Sequence, residues 1–238
     1  MILTLDIGNT RSKLTLFEQG NIVEHETCAH ADTAQRLLQH AHSQPQLTAL
    51  HWCSVGPECE GVDKVLEGMD CSVRQLLPTA PPAWLQLDYR TPHTLGADRL
   101  AAVMGARVLQ AEGALLVIDA GTCITYDLLT ASHRWVGGNI SPGLSMRLQA
   151  LHEHTARLPL VEPEGSTPLL GHDTSTALRS GVLRGMAYEI EGYVRHLSRE
   201  YGAISTFFTG GSDFRSLIST EFRTFADDFL VARGLAAM

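Results

Sequence analysis

One short pattern occurs twice in the chain, at its start and again near its middle. It reads LTLDIGNTRSKLTLF at the first position and LLVIDAGTCITYDLL at the second. Each copy joins an apolar strand, a turn with Asp, Gly and Thr, and a second strand. The aspartates, Asp6 and Asp119, are 119 − 6 = 113 residues apart in a chain of 238. A repeated unit at this spacing predicts two domains of similar fold. The alternative is two unrelated hairpins, since Asp and Gly are common turn residues.

The remaining pattern predicts strands and helices in alternation, which is typical of an α/β chain. Residues 2–17 and 22–26 predict three consecutive antiparallel strands, and residues 78–92 predict a proline-rich crossing loop. Further strands are predicted over residues 47–55, 114–118, 124–129 and 203–208. Helices are predicted over residues 32–42, 63–69, 97–109, 144–151 and 175–198. The end of the chain predicts a helix and a connection over residues 213–228, then an edge strand at Leu230 and Val231.

Composition narrows the classes of function. The 26 Asp and Glu residues outnumber the 18 Lys and Arg residues, for a net charge of −8. This balance argues against nonspecific nucleic-acid binding but not against a small anionic ligand. The five cysteines include no CxxC pair, so reduced thiols are expected instead of a disulfide framework or a zinc site. Without a signal peptide or a stretch of about 18 apolar residues, the sequence predicts a cytoplasmic protein with no membrane partner.

Both copies of the repeated turn carry groups that suit phosphate binding. Glycine lets the backbone approach a ligand closely, Thr offers a hydroxyl, and Asp can hold Mg²⁺ through water. Residues 6–10 and 119–122 supply these groups, and residues 209–211 end a later strand in a similar turn. The chain has no G-x-x-x-x-G-K-[ST] and no G-x-G-x-x-G motif, which argues against a P-loop and a Rossmann site.

Another acidic position lies where the proline-rich loop meets the next predicted helix. The segment contains Gly96, Ala97, Asp98 and Arg99. Asp98 could accept a proton from a substrate, and Arg99 could bind an anionic group through its two-pronged guanidinium. The alternative is that Asp98 only interacts favourably with the helix dipole.

Taken together, these motifs resemble those of the type III pantothenate kinases of bacterial coenzyme A biosynthesis. That family belongs to the acetate/sugar kinase–Hsc70–actin superfamily. The resemblance spans nearly the whole chain and keeps the family order of motifs, at residues 6–13, 96–99, 119–122, 137–143, 174–181 and 209–211.

The resemblance implies an α/β fold with two tandem RNase-H-like (actin-like ATPase) domains. Each would be a mixed five-stranded sheet flanked by helices, over residues 1–112 and 113–238. The implied activity is the ATP-dependent phosphorylation of pantothenate to 4'-phosphopantothenate, the first step of coenzyme A biosynthesis. The implied partners are pantothenate, ATP and a second copy of the chain in a homodimer.

The resemblance also implies roles for individual residues. Asp98 would be the general base, Asp119 would bind a monovalent cation (K⁺ or NH₄⁺), and Asp6 would hold Mg²⁺ through water. The residues implied to bind ATP are Asp6, Ile7, Gly8, Asn9, Thr10, Arg11, Ser12, Lys13 and Thr122. The residues implied to bind pantothenate are Tyr89, Gly96, Ala97, Asp98, Arg99 and Thr174.

Other classes of function remain as alternatives. A noncatalytic regulatory relative of the same fold would be expected to lack an acid at position 6, 98 or 119, yet all three are present. Another small-molecule kinase or ATPase of the superfamily is a second alternative, although 238 residues are few for a sugar kinase or a chaperone ATPase. A purely structural module would leave the duplicated acidic turns without an explanation.

Overall fold

Strands from the start and from the middle of the chain form two different sheets. The computed structural model describes residues 1–211, 217–218 and 222–238. Residues 1–111, 133–135 and 229–238 form a first unit, and residues 112–132 and 136–228 form a second. The predicted α/β class is therefore confirmed. The boundary between residues 112 and 113 stays a prediction.

The sheet of the first unit is mixed and has the strand order β3-β2-β1-β4-β5. Strands β1 (Ile2–Ile7), β2 (Ser12–Glu18) and β3 (Asn21–Cys28) form the predicted antiparallel series. Strand β4 (Ala49–Ser54) runs parallel to β1, and β5 (Ser72–Gln75) runs parallel to β4. The carboxyl ends of β1, β4 and β5 therefore share one edge of the sheet.

Helices cover both faces of this sheet. Because side chains alternate along a strand, Leu3 and Leu5 lie on one face of β1, where α1 (Thr33–Ser43) and α2 (Val62–Glu67) complete the core. Helix α3 (Ala97–Leu109) contacts β4, and α6 (Leu230–Ala236) contacts β1, β4 and α3. The β4 residue His51 donates a hydrogen bond from Nδ1 to the Leu235 carbonyl at 2.7 Å, which fixes α6 on the face opposite Leu3.

The predicted edge strand at Leu230 and Val231 is wrong, because both residues belong to α6. A Cβ atom built on Gly105 of α3 would lie 1.9 Å from the Leu230 carbonyl oxygen, and one built on Gly234 would lie 1.8 Å from the Ala101 carbonyl oxygen. The two helices therefore touch backbone to backbone. The prediction for residues 213–228 lies partly outside the described residues, and within them residues 224–226 form a strand.

This close contact predicts that Gly105→Ala destabilises the protein by about 1–3 kcal/mol, because the new methyl group has no space beside the α6 backbone. Urea denaturation of both proteins measures the change in the free energy of unfolding. Gly192→Ala is the matched control, since a Cβ at Gly192 meets nothing within 4 Å. It should be neutral or slightly stabilising. Equal effects of the two substitutions would contradict the packing argument.

The second unit contains five strands of a six-stranded sheet, whose order is β11-β10-β7-β8-β9-β6 and which has one strand more than predicted. Its strands are β7 (Ala114–Ala120), β8 (Cys123–Leu129), β9 (Arg134–Pro142), β10 (Ile204–Thr209) and β11 (Thr224–Ala226). Strand β7 is antiparallel to β8 and parallel to β10. Helices α4 (Leu144–Glu153) and α5 (Thr174–Tyr201) pack on it through Leu148, Met186 and Ile190. The start of β9 belongs to the first unit, where Arg134 and Trp135 pair with strand β6 (Gln86–Leu87).

No helix in the described ranges has an apolar segment long enough to cross a membrane.

Candidate active site

The first acidic turn connects β1 to β2 and presents polar residues to solvent. The Gly8 N–H donates to the Arg11 carbonyl at 3.1 Å, which closes the turn. The backbone N–H groups of Val55 and Gly56, after β4, donate to the Ile7 carbonyl at 2.9 and 3.0 Å. Asn9, Thr10 and Arg11 are exposed. Neighbouring backbone thus fixes the base of the turn and leaves its tip accessible.

The side chains of two predicted ATP-binding residues in this segment are buried and do not face solvent. Ile7 is 3% exposed and belongs to the core beneath α1 and α2. The Ser12 side chain is fully buried, and its hydroxyl accepts a hydrogen bond from Thr33 Oγ1 at 2.7 Å. Their side chains are occupied by the core, so only their backbone groups could contact a ligand.

Asp6 lies in a row of side chains that crosses three strands. It is directly opposite Lys13 on β2 and Cys53 on β4, so the three side chains share the face opposite Leu5. Asp6 is 7% exposed, and the Cys53 thiol donates to its Oδ1 at 3.7 Å. The row places a carboxylate and a lysine side by side at the carboxyl edge of the sheet.

Asp98 lies in the first turn of α3, after the N-cap residue Gly96. Its Oδ1 accepts a hydrogen bond from the Arg99 N–H at 2.8 Å. A Cβ atom at Gly96 would lie 2.4 Å from this oxygen, so the carboxylate can fold back over the helix start only because residue 96 has no side chain. Burial raises the pKa of Asp98, while the hydrogen bond and charge of Arg99 and the charge of Lys13 act in the opposite direction.

The carboxylates of Asp6 and Asp98 both affect the pKa of one buried thiol, that of Cys53. Burial raises the pKa of the Cys53 thiol well above its usual value, and the negative charges of Asp6 and Asp98 raise it further. Lys13 influences the pKa of both Cys53 and Asp98. Asp6 and Lys13 are therefore direct neighbours, and the charge of Asp98 acts on the same Cys53 thiol as that of Asp6.

A cavity of about 370 Å³ opens beside the start of α3. Gly96 and Ala97, both predicted to bind the substrate, form part of its wall. Val55, Gln75 and His93 also line it, and the sequence analysis did not identify them. Gln75 had no local signal, because only the pairing of β5 with β4 brings it to this edge.

Arg99 lies near two aromatic rings and is 5% exposed. Its guanidinium carbon lies 5.8 Å from the centre of the Tyr89 ring and 6.0 Å from that of Trp135, within the range of cation–π contacts. Trp135 was missed in the sequence analysis. It reaches Arg99 because Arg134 pairs with β6 and forms an ion pair with Asp88.

The second acidic turn lies in the second unit. Asp119 is opposite Thr125 on β8 and Thr209 on β10, so three oxygen-bearing side chains lie in one row on the face opposite Ile118. Gly210 has φ 87° and approaches so closely that a Cβ atom there would lie 2.7 Å from Asp119 Oδ1. Thr122 follows in an exposed turn closed by the hydrogen bond from the Gly121 N–H to the Cys123 carbonyl at 3.0 Å.

Thr174 also lies in the second unit, as the first residue of α5. Asp173 caps this helix by accepting from the Thr176 N–H at 2.8 Å. Thr174 lines a mainly apolar groove of about 970 Å³ between α4 and α5. Arg147 lines the same groove and pairs through Nη2 with Glu189 Oε2 at 2.6 Å.

Comparison with known proteins agrees with this architecture. A family model described as type III pantothenate kinase matches residues 2–196. A type III pantothenate kinase of Phocaeicola vulgatus is 39% identical over 245 residues, which cover 99% of this chain and 96% of that protein. One of Bacteroides fragilis is 40% identical over 247 residues, with the same coverage of 99% and 96%.

A solved structure supports the fold independently. The inorganic polyphosphate/ATP-glucomannokinase of Arthrobacter sp. strain KM aligns with a TM-score of 0.52 at 14% identity, over 99% of this chain and 96% of that one. At this identity the likeness concerns the fold alone, and the predicted fold class is confirmed. The family model and the 39–40% identity to two relatives also identify the family: the chain belongs to the type III pantothenate kinase family.

Proposed function

We propose that Asp98 is the general base in the reaction of this family, the ATP-dependent phosphorylation of pantothenate to 4'-phosphopantothenate that begins coenzyme A biosynthesis. The observation that carries the proposal is the placement of Asp98, a partly buried carboxylate at the start of α3 that directly follows the cavity-lining residues Gly96 and Ala97, where burial raises its pKa. It shares its surroundings with Asp6 and Lys13. A carboxylate whose pKa is raised accepts a proton more readily than an ordinary aspartate.

In this mechanism Asp98 accepts the proton of the primary hydroxyl of pantothenate as that oxygen attacks the γ-phosphorus of ATP. The new O–P bond forms in line with the bond to the β-phosphate, which breaks and releases ADP. A loose transition state leaves little covalent chemistry to the protein, so positioning and neutralisation of charge contribute most of the acceleration.

Residues 6–13 are proposed to bind the phosphates of ATP, together with Thr122. Asn9, Thr10 and Arg11 are exposed at the tip of the turn and offer amide, hydroxyl and guanidinium donors. Asp6 is a fitting partner for hydrated Mg²⁺, because Mg²⁺ prefers oxygen ligands and keeps several of its waters. The ion would neutralise part of the charge on the phosphates.

Asp119 is proposed to bind a monovalent cation, K⁺ or NH₄⁺. The donor set fits such an ion, because the row formed by Thr209, Asp119 and Thr125 provides carboxylate and hydroxyl oxygens. The cation would contribute positive charge beside the second acidic turn.

Pantothenate is proposed to contact Tyr89, Gly96, Ala97, Arg99 and Thr174. Gly96 and Ala97 line the cavity at the start of α3, and the ring of Tyr89 lies against Arg99. Arg99 is proposed to attract the substrate carboxylate by its charge. Arg99→Ala removes this charge and should mainly raise the KM for pantothenate, and a change in the KM for ATP alone would reassign the residue.

We also propose a cytoplasmic homodimer. The apolar groove between α4 and α5, with Thr174 in its wall, is the surface that supports association. Light scattering coupled to size exclusion measures the mass in solution, and a mass near the 25.9 kDa of one chain would contradict a dimer.

The decisive experiment measures ADP release with pantothenate, acetate or a sugar as acceptor, with and without K⁺. We expect turnover with pantothenate and a clear increase when K⁺ is added. Turnover with acetate or a sugar alone would favour another kinase of the superfamily. No turnover with any acceptor would favour a noncatalytic relative.

A further inference from the structure

We infer that His30 is a positioning residue for ATP, because its ring holds the peptide group that links Gly8 to Asn9. The inference rests on the proposed assignment of residues 6–13 to ATP binding. It adds a residue outside every motif identified in the sequence, since His30 follows β3 and precedes α1.

The contact is a hydrogen bond between distant parts of the chain. His30 lies in a short 3-10 turn over His30–Asp32, and its Nε2 is 3.0 Å from the Gly8 carbonyl oxygen. A carbonyl oxygen only accepts hydrogen bonds, so Nε2 carries the proton and donates. The residue is partly buried, which shields the bond from competition with water.

Holding this oxygen also orients the next N–H group. The peptide group is planar, and in its trans form the C=O and N–H bonds point in opposite directions. With the Gly8 oxygen directed at His30, the Asn9 N–H points away from the His30 ring. This N–H has no protein acceptor within the residues that the structure describes. Successive N–H groups of a tight turn can form an anion-binding concavity, and the Asn9 N–H can serve as one of them.

Gly56 restrains the same oxygen by contact. A Cβ atom at Gly56 would lie 2.0 Å from the Gly8 carbonyl oxygen, so its backbone is already in close contact with this carbonyl. Rotation of this peptide group would break the hydrogen bond from His30, and the nearby backbone of Gly56 leaves the oxygen little room to move. His30 and Gly56 together therefore fix one orientation of the Asn9 N–H before ATP arrives.

His30→Ala is expected to raise the KM for ATP about three- to tenfold, which corresponds to the net value of one hydrogen bond. The KM for pantothenate should change less than about twofold. His30→Gln, whose amide N–H can replace the ring donor, should restore most of the ATP affinity. His42→Ala is the matched control, because His42 is an exposed histidine of α1.

Gly56→Ala tests the same peptide group by a second route, because its methyl group would displace the Gly8 carbonyl oxygen. A selective rise in the KM for ATP in His30→Ala and Gly56→Ala, with recovery in His30→Gln, supports the inference. An unchanged KM for ATP in His30→Ala overturns it. Equal changes in both KM values, together with a lower melting temperature, also overturn it, because they show a purely structural role.

Thr10→Val separates this inference from the assignment on which it rests. If Thr10→Val raises the KM for ATP and His30→Ala does not, the turn binds ATP and only the role of His30 is wrong. If neither substitution changes the KM for ATP, the assignment of residues 6–13 to ATP is wrong, and the inference falls with it.

Discussion

Asp98→Asn is expected to lower kcat by about 10²- to 10⁴-fold, the usual contribution of a general base. The KM for ATP should change by less than about twofold, because Asp98 is proposed to contact the hydroxyl of the acceptor and not the nucleotide. Steady-state rates of ADP release at saturating pantothenate measure both constants. Wild-type turnover in this variant would remove Asp98 from the role.

The loss of activity should occur without loss of folding. Asn keeps an oxygen at Oδ1, so the hydrogen bond from the Arg99 N–H can persist. Burial raises the pKa of Asp98 because it disfavours the charged form, and the neutral amide avoids that cost. The melting temperature should therefore be unchanged or higher. Asp70→Asn is the control, because Asp70 is an exposed aspartate of the same unit.

The pH profile gives a separate signature of Asp98. A general base must be unprotonated, so kcat falls as the pH falls through its pKa. Because burial raises this pKa, the fall should begin at a higher pH than for an ordinary aspartate. In Asp98→Asn the residual activity should lose this acidic limb. An identical limb in both proteins would assign it to another group.

Asp6→Asn is expected to lower kcat by about 10²- to 10³-fold, comparable to removing one strong electrostatic contact from a transition state. The substitution removes the negative charge proposed to hold hydrated Mg²⁺, while its remaining oxygen can still accept from the Cys53 thiol. The Mg²⁺ concentration for half-maximal activity should rise in parallel. Titration of activity with Mg²⁺ at fixed ATP measures this change.

Asp63→Asn provides the matched control for Asp6, since Asp63 is exposed on α2 of the same unit. It should leave kcat and the Mg²⁺ requirement unchanged. A loss of activity in Asp6→Asn with an unaltered Mg²⁺ titration would contradict the role in holding the ion. It would then indicate that Asp6 acts through Lys13, its direct neighbour across the sheet.

Local pattern was sufficient for much of the fold. The apolar run at the start of the chain predicted β1 and the turn that follows it, and both are observed. The repeat predicted a strand, a turn and a second strand at residues 6–10 and again at residues 119–122, and each turn indeed joins two antiparallel strands, β1 to β2 and β7 to β8. These features could be predicted because periodicity and turn chemistry act between residues close in sequence.

Prediction failed where contacts between distant segments decide the structure. Leu230 and Val231 suit a strand by composition, but they begin a helix because α6 fits against the small residues of α3. Trp135 reaches Arg99 only through the pairing of β9 with β6. His30 reaches Gly8 from 22 residues further along the chain, and neither residue carries a local sign of the other.

The amino-acid order therefore specified the strands β1 to β4, β7, β8 and β10, the acidic turns and the family, because each depends on neighbouring residues or on motifs with fixed spacing. Folding in three dimensions decided which of these residues meet. The alignment of Lys13, Asp6 and Cys53 in one row follows from strand register, and the raised pKa of Asp98 follows from burial. Register and burial arise from contacts between remote segments, which no local pattern encodes.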